Sequence, residues 1–178
     1  MSKALNGAAT SAAAAANEFL AFSRTEPSVP AVDQMKLQKL LFYAHAWHLA
    51  MFDQPLFEED FEAWPWGPVV RDVYAQTRSY GRAPVSGQIV RVQSSPDLHF
   101  RVASPRVEDE RTRAFLRSVW DSHKNFTGIQ LSNSTHAPGE PWTVVKEQLG
   151  SLDSKPAIPN ELIRDIYKAK MASTARAA

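Results

Sequence analysis

Histidine provides the first candidates for metal binding or acid–base chemistry, since the chain has five histidines and no cysteine. His45 and His48 are three residues apart in an apolar stretch predicted to be helical, so their rings lie on roughly one side of it. A zinc site needs a third ligand, and the sequence contains no His-Glu-x-x-His motif. We therefore favour structural roles for both rings and predict neither a metal nor a cofactor.

The segment 132–140 is a second candidate, because His136 lies near Glu140 and near the hydroxyl groups of Ser132, Ser134 and Thr135. A hydrolase would use such a histidine as a base and a serine as its nucleophile. However, no Gly-x-Ser-x-Gly elbow surrounds these serines, and the glycines are scattered singly rather than grouped in a phosphate-binding loop. We predict no catalytic residues, with an uncharacterised hydrolase as the less favoured alternative.

Aromatic and basic side chains are the candidates for binding a partner. Trp64, Trp66 and Trp142 occur beside Pro or Gly, where a tryptophan is either a core anchor or an interface hot spot. Arg91 and Arg101 give a predicted β-hairpin one basic face. The segment that follows interleaves further arginines with acidic residues, which favours a solvated or protein-binding surface over a nucleic-acid interface.

Length and composition limit the class of protein. A chain of 178 residues with 44% hydrophobic and 22% charged residues can bury a core as one domain. Its net charge of +1 gives no general attraction to nucleic acid or to an anionic membrane. The Ala run at 12–16 lacks the features of a signal peptide, and no apolar run is long enough for a transmembrane helix. Because cysteine is absent, a cytoplasmic location is the expectation.

The element that must position these residues is a long helix from Asp33 to about Phe52. Its apolar residues recur at i, i+3, i+4 and i+7, and Asp33 is placed to cap its first turn. Beyond the turn that carries Lys36 and Lys39, almost no face is left for water, so the helix is predicted to be buried. The fold class is therefore α+β and mainly helical, with a long buried central helix, surrounding helices and a small antiparallel β-sheet.

The remaining elements are predicted from periodicity and from Pro and Gly positions. The expected elements are a helix over 10–24, a strand over 57–66, a helix from Pro68 to Tyr80, a hairpin over 90–102, helices over 108–124 and 127–136, a turn over 138–145 and a last helix from Pro159 or Asn160. The acidic residues 58–62 are expected to pair beside the hairpin as a third strand. One domain over 1–170 and a flexible tail over 171–178 complete the prediction.

Several short sequence blocks, taken in order, resemble the Panacea antitoxin domain family over about residues 33–145. The blocks are Met35-Lys36-Leu37-Gln38-Lys39-Leu40-Leu41-Phe42-Tyr43-Ala44, Trp47-His48-Leu49, Pro55-Leu56-Phe57, Glu62-Ala63-Trp64-Pro65-Trp66-Gly67-Pro68-Val69-Val70, Tyr74, Tyr80-Gly81, Leu131-Ser132-Asn133-Ser134-Thr135-His136 and Pro141-Trp142. A long helix of this type followed by a Glu-Ala-Trp strand and a Gly-Pro-Val turn is a specific combination. The resemblance implies a mainly helical fold with a small sheet.

The resemblance also implies a non-enzymatic antitoxin that binds and neutralises a toxin encoded beside it. The length and the Ala-rich flanks are most similar to the SocA-like branch, whose members act as proteolytic adaptors that present the toxin to the ClpXP protease. The expected partners are thus a cognate toxin and ClpXP. The alternatives are an antitoxin that inhibits by direct binding without a protease and, less favoured, a DNA-binding autoregulator.

The C-terminus, Arg176-Ala177-Ala178, is similar to the degradation tags that such proteases engage. A frayed Ala-rich terminus without a role in delivery is the interpretation that we favour.

Overall fold

The computed structural model describes residues 7–94 and 100–177. These residues contain seven α-helices and five short strands. The helices are α1 (Ala12–Thr25), α2 (Gln34–Phe52), α3 (Arg71–Thr77), α4 (Glu110–His123), α5 (Gly128–Thr135), α6 (Pro141–Leu149) and α7 (Asn160–Ala177). The strands are β1 (Phe61–Trp64), β2 (Gly67–Val69), β3 (Arg91–Ser94), β4 (Phe100–Ala103) and β5 (Ala157–Ile158). The predicted α+β, mainly helical class is confirmed.

Helix α2 is the central element, as predicted. It begins where the Asp33 side chain accepts a hydrogen bond of 2.7 Å from the backbone N–H of Lys36. Nearly every residue from Lys36 to Ala50 is buried, because helices α1, α4, α5 and α7 and strand β2 all pack around it. A helix covered on all sides can be apolar all round, which is the pattern that the sequence shows.

Aromatic side chains fill the core beside α2. The ring of Phe42 meets the ring of Phe61 edge to face at 5.3 Å between centroids and the ring of Tyr167 at 6.1 Å. These contacts join the central helix to β1 and to α7. Because each ring is almost fully buried, the three residues form one continuous core with the aliphatic side chains of α2.

The sheet arrangement differs from the prediction. Strand β1 pairs antiparallel with β2 on one side and with β5 on the other, whereas β3 and β4 form a separate two-stranded hairpin. The expected pairing of residues 58–62 with that hairpin is therefore wrong. Glu59 in this segment approaches the hairpin only through its side chain, which forms an ion pair with Arg91.

The helix predicted to start at Pro68 is also placed wrongly. The chain turns after Trp64 and returns as β2, so Gly67 and Pro68 lie in a strand and α3 begins only at Arg71. A 3₁₀ turn follows α3 and ends at Gly81, which has a positive φ of 56° as the predicted helix stop requires.

The C-terminal half contains more helix than was predicted. The segment expected to be a turn over 138–145 begins helix α6, with Pro141 at its first position. Helix α7 continues to Ala177 and so extends into the segment 171–178 that was predicted as a flexible tail. Residues 171–176 are exposed to solvent, and their mobility stays a prediction.

None of the helices in the described ranges combines the length and the apolar character that crossing a membrane would require.

The core contacts of Phe42 predict a large effect of its removal. Phe42→Ala should lower the free energy of unfolding by about 3–5 kcal/mol, since it deletes a buried ring and leaves a cavity. Urea denaturation followed by circular dichroism measures this change. Phe100→Ala is the control, because that ring is exposed and its loss should change stability by less than about 0.5 kcal/mol. Equal effects of the two substitutions would contradict the packing described above.

Candidate functional site

Side chains from three helices form hydrogen bonds with the backbone of residues 64–70, which comprise the end of β1, the β1–β2 turn, β2 and Val70. We call this set, Gln38, Lys39, Ser132 and Trp142, the β1–β2 clamp. The Trp142 indole N–H donates to the Trp64 carbonyl at 2.7 Å, the Ser132 hydroxyl to the Trp66 carbonyl at 2.9 Å and the Lys39 Nζ to the Pro68 carbonyl at 3.2 Å. The Gln38 amide accepts from the Val70 N–H at 2.8 Å and donates to the Val70 carbonyl at 3.3 Å.

The clamp accounts for the start of α3. Pro68 and Val69 pair with β1 in the antiparallel ladder, and the Val70 N–H donates to Gln38. The Val70 carbonyl also accepts the first helical hydrogen bond, from the Tyr74 N–H at 3.0 Å. Residues 67–69 are therefore held extended against β1, and helix α3 starts at Arg71. This is the physical reason that local sequence signals alone placed the helix three residues too early.

Lys39 is the least expected member of the clamp, because lysine is rarely buried. Its side chain is only 1% exposed, and burial lowers its pKa from 10.5 to about 7. The lysine reaches Pro68 because Gly67 has no side chain: a Cβ there would lie 2.7 Å from Nζ, and Gly67 also has a φ of +105°. One sequence signal could have found it, since a run of apolar residues, Leu40 to Ala44, directly follows Lys39.

Lys36, one turn earlier, is also buried. Its Nζ donates to the carbonyls of Pro30 and Lys124, both at 2.7 Å, and its pKa is lowered to about 8, chiefly by burial. Lys36 thereby ties the segment before α2 and the end of α4 to the start of α2. Neither buried lysine was singled out from the sequence as a site residue.

The structure separates the candidates for acid–base catalysis. The His136 ring stacks on Trp142 at 4.0 Å between centroids, while Glu140 forms an ion pair with Lys170 and accepts a hydrogen bond of 3.2 Å from Tyr167. Burial is the main cause that lowers the His136 pKa, and Lys39 adds to it. His136 and Glu140 thus have different partners.

The hydroxyl groups of the same segment donate hydrogen bonds to backbone carbonyls. Ser134 donates to the Gln130 carbonyl at 3.1 Å and Thr135 to the Ser132 carbonyl at 2.8 Å, both within helix α5. With Ser132 held by Trp66, each hydroxyl of the cluster has a carbonyl as its partner. None of these bonds joins a hydroxyl to His136, as a nucleophile–base pair would require.

His45 and His48 do not converge on a common point. His45 Nε2 lies 2.9 Å from the Asn160 Oδ1, and His48 Nδ1 lies 2.7 Å from the Gln54 carbonyl. Burial lowers the pKa of His45 to about 4 and also lowers that of His48. In the described part of the chain, no group of three His, Asp or Glu side chains is arranged to hold a metal ion.

The three candidate tryptophans have different surroundings. Trp142 is 4% exposed, which leaves its ring little surface for a partner. The Trp64 ring is covered by Tyr74 at 4.6 Å and by the Lys155 Nζ at 3.9 Å. Trp66, at the turn between β1 and β2, is 71% exposed and is the tryptophan available to a partner.

The hairpin carries the two candidate arginines on one face. Arg91 pairs with Ala103 across the strands and Gln93 pairs with Arg101, so Arg91 and Arg101 share a face. Both are exposed, and Arg91 forms its ion pair with Glu59. The opposite face carries Val92, which pairs with Val102.

That opposite face was predicted to be apolar, and the register confirms this. We call Val92, Phe100 and Val102 the hairpin face. These three side chains are exposed rather than packed on the core, with exposed fractions of 65%, 75% and 67%. Sequence periodicity could show that they share a face, but it could not show that nothing in the described chain covers it.

Comparison with known proteins identifies relatives. The family model described as antitoxin SocA-like, Panacea domain, matches residues 37–143. Antitoxin SocA of Caulobacter vibrioides (strain NA1000 / CB15N) is 29% identical over 138 residues, which cover 77% of this chain and 72% of that protein. No solved structure gives a significant match.

The burial of Lys39 predicts a pH-dependent contribution to stability. The pKa is about 7 in the folded protein and near 10.5 when unfolded, so the unfolded chain binds one more proton between these pH values. Stability from this group therefore rises with pH across that window. The free energy of unfolding of the wild type minus that of Lys39→Met should increase by about 1.4 kcal/mol per pH unit between pH 7 and 10.

Urea denaturation at a series of pH values measures this difference. Arg78→Met, which removes an exposed cation, is the control. A wild-type-minus-Lys39→Met difference that is flat from pH 7 to 10 would contradict the burial of Lys39.

Proposed function

The chain belongs to the SocA-like Panacea antitoxin family, and on this basis we propose that it is the antitoxin of a toxin–antitoxin system, which binds its cognate toxin and neutralises it. The observation that carries the proposal is the family match over residues 37–143. This range runs from α2 into α6 and includes all four residues of the β1–β2 clamp. The matched region is therefore the part that sets the fold, and the similarity to antitoxin SocA extends beyond it.

We further propose that neutralisation is by proteolysis, with the chain acting as an adaptor that delivers the toxin to ClpXP in the cytoplasm. The resemblance to the SocA-like branch is the main support. An adaptor also needs two separate exposed surfaces, one for its cargo and one for the protease. The β3–β4 hairpin and the exposed end of α7 at residues 171–176 lie on different elements and can serve separate partners.

The charge distribution supports a protein partner over nucleic acid. Several arginines at the hairpin and on α4 have carboxylate partners, such as Arg91 with Glu59 and Arg113 with Glu18 at 3.1 Å. Nucleic-acid binding rests on cations that are free to neutralise phosphates. With a net charge of only +1, the chain offers little such charge, which disfavours a DNA-binding autoregulator.

Co-expression with the protein encoded by the adjacent gene tests the proposal. We expect the chain to rescue growth and to shorten the half-life of that protein in cells with ClpXP, because the adaptor presents it for degradation. A pulse-chase in cells with and without ClpX measures the half-life. Rescue with an unchanged half-life of the toxin would contradict delivery to ClpXP and would indicate direct inhibition of the toxin. Absence of rescue would contradict the antitoxin function itself.

Deletion of residues 171–178 tests whether the end of α7 takes part in delivery. We expect toxin binding to be unchanged, because residues 171–176 are exposed and their removal leaves the core intact. Toxin turnover measured in the same pulse-chase then decides the role of the segment. A longer half-life would assign the segment to engagement of the protease, whereas an unchanged half-life would remove it from the mechanism.

A further inference from the structure

The hairpin face is the largest group of adjacent exposed apolar side chains on a single element of the described chain. Val92 and Val102 are cross-strand neighbours, and Phe100 follows on the same face of β4. All three are about two-thirds exposed or more. Single exposed apolar residues are ordinary, but a contiguous apolar patch on a protein surface marks an interaction site.

The hairpin is attached to the rest of the protein by few polar contacts. The Gln76 side chain accepts from the Val90 N–H at 2.8 Å and donates to the Val90 carbonyl at 3.1 Å. Arg91 adds its ion pair with Glu59. A two-stranded hairpin without a covered apolar face is only marginally stable in water, so a partner on this face would stabilise the hairpin as it binds.

A cavity next to the hairpin indicates the charge of that partner. It has a volume of about 330 Å³ and lies between α3 and the start of β3. Val92 lines this cavity and also belongs to the hairpin face, so the two surfaces are continuous. The charged residues in its lining are Glu59, Asp72 and Arg91.

The two carboxylates differ in their partners. Glu59 is matched by Arg91 and also accepts a hydrogen bond of 3.2 Å from the Ala12 N–H. Asp72 is exposed, and among the described residues it forms no ion pair. Since Arg71 beside it is already paired with Glu62 at 2.8 Å, the cavity retains one unmatched negative charge.

We propose that the hairpin face and this cavity together bind the toxin, through a segment of the toxin that combines apolar side chains with a lysine or arginine. The apolar side chains cover Val92, Phe100 and Val102, and the cation enters the cavity and pairs with Asp72. The inference rests on the proposed antitoxin function and names the surface that carries it. A neutral or acidic partner would leave the Asp72 charge unmatched at the interface.

The other large concavity does not specify a partner in this way. A groove of about 490 Å³ between α2, α4 and α5 is lined by residues such as Trp47, Phe115 and Phe126. Its described lining contains no Asp, Glu, Lys or Arg. Shape and apolarity alone do not identify an occupant, so this groove carries no proposal.

Replacement of the hairpin face tests the apolar part of the interface. Toxin affinity is measured by isothermal titration calorimetry with the purified product of the adjacent gene. The triple variant Val92→Ser, Phe100→Ser, Val102→Ser should bind at least about 30-fold more weakly, because it removes the apolar area that the toxin segment would cover. The matched control replaces three exposed apolar residues on helices α5, α6 and α7 by serine, namely Ile129, Leu149 and Met171. This control should bind the toxin within about twofold of the wild type.

A charge exchange tests the cavity without touching the hairpin. Asp72→Lys should weaken binding at least about 10-fold, and a Lys→Glu or Arg→Glu substitution in the toxin should restore it. Glu147→Lys is the matched control, since Glu147 is an exposed carboxylate on α6. Thermal unfolding followed by circular dichroism verifies that each variant is folded.

The outcomes separate this inference from the proposed function. If the hairpin-face triple variant and Asp72→Lys both bind within twofold of the wild type, the surface is wrong, while rescue by the wild type keeps the antitoxin function. Equal loss of binding by the hairpin-face variant and its control would also overturn the surface. If the wild type does not bind the toxin, both the proposed function and the inference fail.

Discussion

The backbone of the β1–β2 turn depends on side chains that come from distant parts of the chain. Its carbonyls at Trp64, Trp66 and Pro68 accept hydrogen bonds from the side chains of Trp142, Ser132 and Lys39. A buried carbonyl without a partner costs about 1–3 kcal/mol. The β1–β2 clamp supplies a donor for each of these groups and thereby joins α2, α5 and α6 around one turn.

This constraint accounts for several residues of the family motif. The clamp residues Gln38, Lys39, Ser132 and Trp142 and the small residue Gly67 all lie in the matched range. Each has a contact that only its own side chain, or its lack of one, can make. These residues belong to the scaffold, whereas Trp66 and the apolar side chains of the β3–β4 hairpin are exposed on it.

The two buried lysines show how a polar side chain can take part in a core. Lys36 and Lys39 contribute long apolar stems to the interior, while their amino groups end on backbone carbonyls. The cost of removing the charge from water appears as a lowered pKa, most strongly at Lys39. The two amino groups connect α2 to Pro30, to Lys124 and to Pro68, contacts that are not part of any strand ladder.

Local sequence signals determined much of the fold. The Asp33 cap, the all-round apolar pattern of α2 and the alternation of the hairpin are short-range features, and each is found where it was predicted. Their physics involves residues within a few positions of one another, which a sequence displays directly. The family resemblance likewise rests on short blocks of consecutive residues and is confirmed by the match over 37–143.

Tertiary structure alone decided the rest. The return of the chain as β2, the pairing of β1 with β5 and the burial of Lys39 all depend on partners far away in the sequence. The exposure of the hairpin face was decided in the same way. Periodicity shows which side chains share a face, whereas what covers that face is set by the packing of the whole chain. The scaffold could therefore be predicted largely from the sequence, and the candidate partner surface could not.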